Sequence, residues 1–175
     1  MSAIFRDEKE TLEIDFTAAI FARDDLNKVF SQISGSVFSD VDFVVADEER
    51  IIFVECKNSN FKGVINPEAF NPLEDERMKV MVRKYCYSFI YIRSLLGNIN
   101  KKKIYIYLVE TNNGDSVLRK KIRNRLKKML PFAIQERENL QENIIDEVQV
   151  YSLKEWNEKF KEFPAKRLKD ALKEN

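Results

Sequence analysis

Two short apolar runs, VDFVVA at 41–46 and IIFVEC at 51–56, stand on either side of the polar tetrapeptide DEER. Runs this rich in Val, Ile and Phe, bounded by a tight polar turn, predict an antiparallel hairpin. Asp42, Glu55 and Lys57 lie within or directly after these runs. A charge there is costly unless it is paired, hydrated or bound to metal. The hairpin therefore constrains the fold and raises the question of what offsets its buried charge.

A turn symmetric about Glu48 and Glu49 makes paired positions sum to 97. Asp42 then lies opposite Glu55, and Asp40 opposite Lys57. Directly opposed residues have Cβ atoms roughly 4.5–5.5 Å apart. Side chains alternate between faces, so Asp40, Asp42, Glu55 and Lys57 share one face. Val41, Phe43, Val45, Ile52, Val54 and Cys56 are expected on the other. Two opposed carboxylates repel, and a hard cation such as Mg2+ removes the repulsion by taking oxygen from both. A lysine beside that cation can orient a water and stabilise phosphate charge, a combination suited to phosphodiester hydrolysis. The bland alternative is a cross-strand ion pair between Asp40 and Lys57 on a half-exposed sheet.

An acid on one strand followed by Glu-x-Lys on the next resembles the PD-(D/E)XK nuclease superfamily, with its restriction-endonuclease-like fold. The resemblance is strong over residues 39–58, and element order extends it to about residue 155. It implies that Asp42, Glu55 and the main-chain carbonyl of Cys56 bind Mg2+ or Mn2+, and that Lys57 positions the attacking water. Val41 stands where the Pro of the signature would be. Many members carry a further Glu before the hairpin, for which Glu10 and Glu13 are the candidates. Asp40 is the other accessory acid. The Gln-x-x-x-Tyr of the RecB-like branch is not matched: Met81 stands four before Tyr85, and Arg83 four before Tyr87.

The chain has no histidine, which removes histidine general bases, Ser-His and Cys-His nucleophiles and His-rich zinc sites. Oxygen-ligand metal chemistry survives. At 175 residues a single domain over 1–175 is expected. A net charge of +1 gives no global pull toward nucleic acid, so binding must use local patches. Cys56 and Cys86 form no Cys-x-x-Cys, and a disulfide framework is not expected. The charged start MSAIFRDEKE and the lack of a long apolar stretch predict a cytoplasmic chain without a membrane partner.

Residues 8–34 carry Leu12, Phe16, Ala19, Ile20, Leu26, Val29, Phe30 and Ile33 at mostly helical spacing, with Gly35 as a stop. A helix is favoured, although LEIDFTAAI also alternates with period two, as a strand would. A polar loop follows the hairpin, with Gly63, Pro67 and Pro72. A helix over 74–96 and a strand over 104–110 predict a parallel crossover. NNGD at 112–115 marks a turn. A basic amphipathic helix follows over 117–130, then a polar and partly helical stretch over 132–145, and a last strand over 148–153. Residues 154–175 read as a helical extension. The expected fold class is α/β, a small mixed sheet flanked by helices.

Lys79, Arg83, Lys84 and Arg123 are candidate phosphate contacts, although charge runs usually just face solvent. Tyr85, Tyr87, Tyr91, Tyr105 and Tyr107 could stack bases, but their spacing favours core positions. Trp156 reads as a packing anchor. Cys56 lacks a base and points away from the acids, so it is not taken as a nucleophile. The expected activity is Mg2+- or Mn2+-dependent cleavage of a nucleic acid, DNA first, by a homodimer or with a protein partner supplying recognition. The alternative is a non-catalytic nucleic-acid-binding or protein-interaction module on the same scaffold.

Overall fold

The computed structural model describes residues 3–33, 37–66, 69–97, 100–112 and 115–170. The expected signals at Gly35, Pro67, Asn113 and Gly114 and the last five residues lie outside that set. The chain is mixed α/β. A five-stranded sheet is built from β3 (Phe21–Arg23), β4 (Phe43–Ala46), β5 (Arg50–Asn58), β6 (Lys102–Glu110) and β7 (Glu147–Tyr151), in that spatial order. The first three strands run antiparallel, and β5, β6 and β7 run parallel. The parallel pairs need long crossovers, supplied by α2 (Asp75–Leu96) and α3 (Ser116–Met129).

One face of this sheet buries Val44, Phe53, Tyr105 and Tyr107 against Met81, Tyr85 and Phe89 of α2 and Ile122 and Leu126 of α3. Asp115 caps α3 by accepting the Leu118 N–H. The opposite face buries Phe43, Val45, Ile52, Val54 and Cys56, as the hairpin alternation predicts. It is covered by a three-stranded antiparallel sheet, β1 (Ile4–Arg6), β2 (Leu12–Asp15) and β8 (Ala165–Arg167), and by α5 (Leu153–Lys159).

Two expectations are overturned. The favoured helix over 8–34 is not formed: β2 and β3 lie there, followed only by the short α1 (Leu26–Phe30). Leu12, Ile14 and Phe16 are fully buried at period two, so the alternation outweighed the helical spacing. The helical extension expected over 154–175 is helical only at its start among the described residues. α5 stops at Lys159, and β8 pairs with β2. Pro164 cannot continue a helix, and its carbonyl accepts the Asp15 N–H instead. The stretch over 132–145 is helical only in α4 (Phe132–Arg137).

The tyrosines behave as packing residues. Tyr85, Tyr105 and Tyr107 are buried. Tyr87 and Tyr91 are half-buried and meet Phe38 and Phe30 at ring-centroid distances of 5.0 and 5.7 Å.

Candidate functional site

β4 and β5 pair Phe43 with Val54 and Ala46 with Ile51, so paired positions sum to 97 as the turn predicts. Continuing that register sets Asp42 opposite Glu55. Asp42 itself lies just before β4, where backbone pairing has stopped. Its Oδ2 accepts the Cys56 N–H at 2.7 Å, doing the work of a missing strand partner. Among the described residues Asp42 Oδ1 accepts no hydrogen bond, and the carboxylate lines a cleft. Val41 departs from the expected face. Its N–H donates to Ser88 Oγ of α2 at 3.0 Å, and its side chain packs on the α2 side. The chain has left the strand path there, so alternation does not extend below residue 43.

Glu55 is 6 % exposed and lies beside Tyr107 in the β5–β6 register. Both its oxygens accept hydrogen bonds from Lys84 Nζ of α2, at 2.7 and 2.9 Å. Lys84 is therefore not a free phosphate contact. It is the cation that compensates the buried acids, a role invisible without the α2 packing. Lys57 lies two residues beyond Glu55 on the same strand, is half-buried, and forms no ion pair or hydrogen bond among the described residues. The Asp40–Lys57 ion pair of the bland alternative does not form among the described residues. Asp40 instead lines the cleft with Asp42 and Lys84.

That cleft has a volume of about 250 Å³ and is also lined by Arg6, Glu8 and Asp24. Four acids to two cations make it a poor receptor for a bare phosphodiester and a good one for a cation. A larger cleft of about 510 Å³ lies by Glu110, Arg119, Glu155 and Arg167. Its main cations are spent on each other's neighbours, Arg119 on Glu155 at 2.7 Å and Arg167 on Glu110 at 2.5 Å.

The remaining sequence candidates disperse. Glu13 is tied to Arg6 and Lys166 at 2.9 and 2.8 Å and does not line the cleft. Glu10 is exposed in the turn after β1 with φ of 50°. Lys79 pairs with Glu76 at 2.6 Å, one turn back on α2. Arg83 is exposed, and at 100° per residue it lies a quarter-turn from Lys84. Arg123 borders a separate cleft beside β7. Sequence reasoning also missed Asp7, which is buried where it holds the Thr11 and Leu12 N–H groups at 2.6 Å. Its charge acts on Asp42 and on the Cys56 thiol. A buried Asp followed four residues later by Thr in a turn was the available signal.

Burial pushes Asp42 up from 3.8 to about 6, against the pull of Lys84 and the Cys56 N–H. Burial, then the Asp42 charge, pushes Glu55 up from 4.5 to about 8, with Lys84 pulling the other way. Burial works against the Lys84 ammonium, yet Glu55 and Asp42 together hold it above the ordinary lysine value. Burial raises Asp40, and it raises the Cys56 thiol well above the thiol range, which removes that sulfur as a nucleophile. Both raised carboxyls ionise more readily in the unfolded chain. The stability they contribute is complete below their ordinary values and is lost as pH rises through about 6 and about 8. The metal-free thermal midpoint should therefore fall across that window, and the fall should shrink in Glu55→Gln; an equal fall in both proteins would contradict the assignment.

Among the described residues, no three His, Cys, Asp or Glu side chains gather as a metal cage. The donors present fit a different kind of site: two carboxylates, of which Asp42 lines the cleft and Glu55 is buried against Lys84. Mg2+ is commonly held by one or two carboxylates with waters completing its shell. No family model matches the chain, and comparison with curated proteins and with solved structures finds no significant match. No helix among the described residues is long and apolar enough to cross a membrane.

Proposed function

We propose that this protein is a divalent-metal-dependent phosphodiesterase acting on nucleic acid, with DNA the first substrate to test, on a restriction-endonuclease-like core. The observation that carries the reading is a cleft lined by Asp42 and Lys84, with Asp42 holding the Cys56 N–H and Lys84 pairing with the buried Glu55; Glu55 and Lys57 themselves do not line that cleft. The order of elements supports it as well: an antiparallel hairpin, a helix and then a strand parallel to the second hairpin strand.

Asp42 and Glu55, with the main-chain carbonyl of Cys56, would hold Mg2+ or Mn2+. When bound, such an ion supplies Lewis-acid stabilisation of phosphoryl charge and lowers the pKa of a bound water. Lys57 has no competing acid partner among the described residues and would orient the attacking water. Lys84, 22 % exposed at its side chain, stays paired with Glu55 and places its positive charge at the edge of the cleft. Glu55 and Asp42, with a smaller contribution from Asp40, keep that ammonium charged against its burial.

A second reading is favoured by one contact. Because Lys84 engages both Glu55 oxygens, the cluster can also be a finished structural ion pair in a non-catalytic binding module. The two readings differ for Lys84→Met. If the ammonium only occupies the cation position, that variant has a lowered metal-free thermal midpoint, and Mn2+ restores it by a larger increment than in the wild type. A structural pair predicts the same lowering with no Mn2+ response. Calorimetric titration of Mn2+ into the wild type and Asp42→Ala, run beside nicking of supercoiled plasmid, completes the test. Equal heats from the two proteins would overturn the metal-dependent reading.

A further inference from the structure

The α3 helix carries seven cations and no acid in its fourteen residues, in a protein whose net charge is only +1. Two of the seven are spent within the fold. Arg119 pairs with Glu155 at 2.7 Å, and Arg125 pairs with Asp75 and donates to the Leu73 carbonyl. Lys120, Lys121, Arg123, Lys127 and Lys128 meet no acid in an ion pair among the described residues. The four lysines are exposed and Arg123 is half-buried.

Their arrangement follows from helical geometry. Ile122 and Leu126 are fully buried and define the inward direction. At 100° per residue, Asn124 lies opposite that direction, with Lys120 and Lys128 about 40° to either side of it and Lys127 and Lys121 about 60°. Arg123 lies at the edge of this outward half. Val117, at the start of the helix, is exposed and uncharged within it. Like charges three and four apart, such as Lys120 with Arg123 and Arg123 with Lys127, destabilise a helix. The nearby acids do not relieve them: Asp146 is held by the Lys103 N–H and Asn143, and Glu147 by Lys102. Within the fold Lys127 gains only the Phe132 ring, 5.6 Å from its ammonium, whereas a polyanion lying along the helix would offset the repulsion among these cations.

We propose that the outward half of α3 is a docking surface for the phosphate backbone of nucleic acid, separate from the acidic cleft and read by charge alone. Phosphate contacts of this kind release condensed counterions, so binding weakens as salt rises with a slope of about 0.9 per contact on duplex DNA. Fluorescence anisotropy of a labelled DNA duplex, titrated with the full chain in EDTA across a salt series, measures that slope without cleavage. The Lys120→Gln, Lys127→Gln, Lys128→Gln variant should bind roughly 10-fold or more weakly at 0.1 M salt and flatten the slope by about 2–3. Its thermal midpoint should hold or rise, since repulsion is removed. Arg125→Gln, which removes a cation already paired to Asp75, should leave the slope unchanged. An unaltered slope in the triple variant, or binding to phosphatidylserine vesicles with none to the duplex, would overturn the proposal. Glu55→Gln separates it from the cleft chemistry. Duplex binding kept in that variant, even without any cutting by the wild type, supports the α3 surface; duplex binding lost in that variant would show that the cleft carries the contact.

Discussion

Glu55→Gln should abolish Mn2+-dependent nicking of supercoiled plasmid while leaving a folded protein. The amide keeps the shape of the side chain and can still accept from Lys84, so the ion pair becomes a hydrogen bond. What is lost is one of the two carboxylate charges that would hold the ion. The loss of activity should be at least about 100-fold, the upper end of what outer partners of a metal site cost when removed. Lys57→Ala makes the contrast. It should slow cleavage with little change in Mn2+ affinity, because Lys57 follows Glu55 by two residues on β5, and so shares its face by alternation, without pairing to either acid among the described residues. Wild-type nicking in Glu55→Gln, or loss of Mn2+ binding in Lys57→Ala, would contradict the assigned roles.

Trp156→Ala should destabilise the protein by about 3–5 kcal/mol, as expected for emptying a large aromatic site in a core. Trp156 is fully buried, stacks on Phe160 with ring centroids 4.5 Å apart, and meets Phe16 edge-on at 6.3 Å. Its Nε1–H donates to the Phe163 carbonyl at 2.7 Å. Through these contacts the C-terminal segment is locked between the small sheet and the large one. The thermal midpoint should drop by on the order of 10 °C, given the size of the chain. A helical extension merely resting on the surface would lose only a degree or two, so the measurement tests the second layer directly. Trp156→Phe should recover most of the loss, leaving the unpartnered Phe163 carbonyl as the remaining cost of about 1 kcal/mol.

The hairpin was legible because its information is local. The tight turn at 47–50 and the period of two fix the pairing, and the observed partners match it from Phe43 to Ala46. The two crossover helices were legible for the same reason, since each carries an apolar stripe over many turns. The N-terminal segment was not. LEIDF satisfies both a helical and an alternating pattern, and the choice between them is made by β8, which arrives from more than 150 residues away to pair with β2. The aromatic cluster of Phe16, Trp156 and Phe163 that rewards this pairing is assembled only in the folded chain.

The candidate site divides along the same line. That Asp42 comes level with the end of β5 was legible, because the tight turn leaves one register; the pairing itself ends at Phe43, and Asp42 meets β5 through the Cys56 N–H. The identity of the amine at Glu55 was not. Lys84 reaches it from a helix whose position depends on how α2 packs over the sheet, with Ser88 one turn further on taking the Val41 N–H. Local periodicity determined that Asp42 comes level with the end of β5, and the long-range burial of α2 decided which cation balances the acids there.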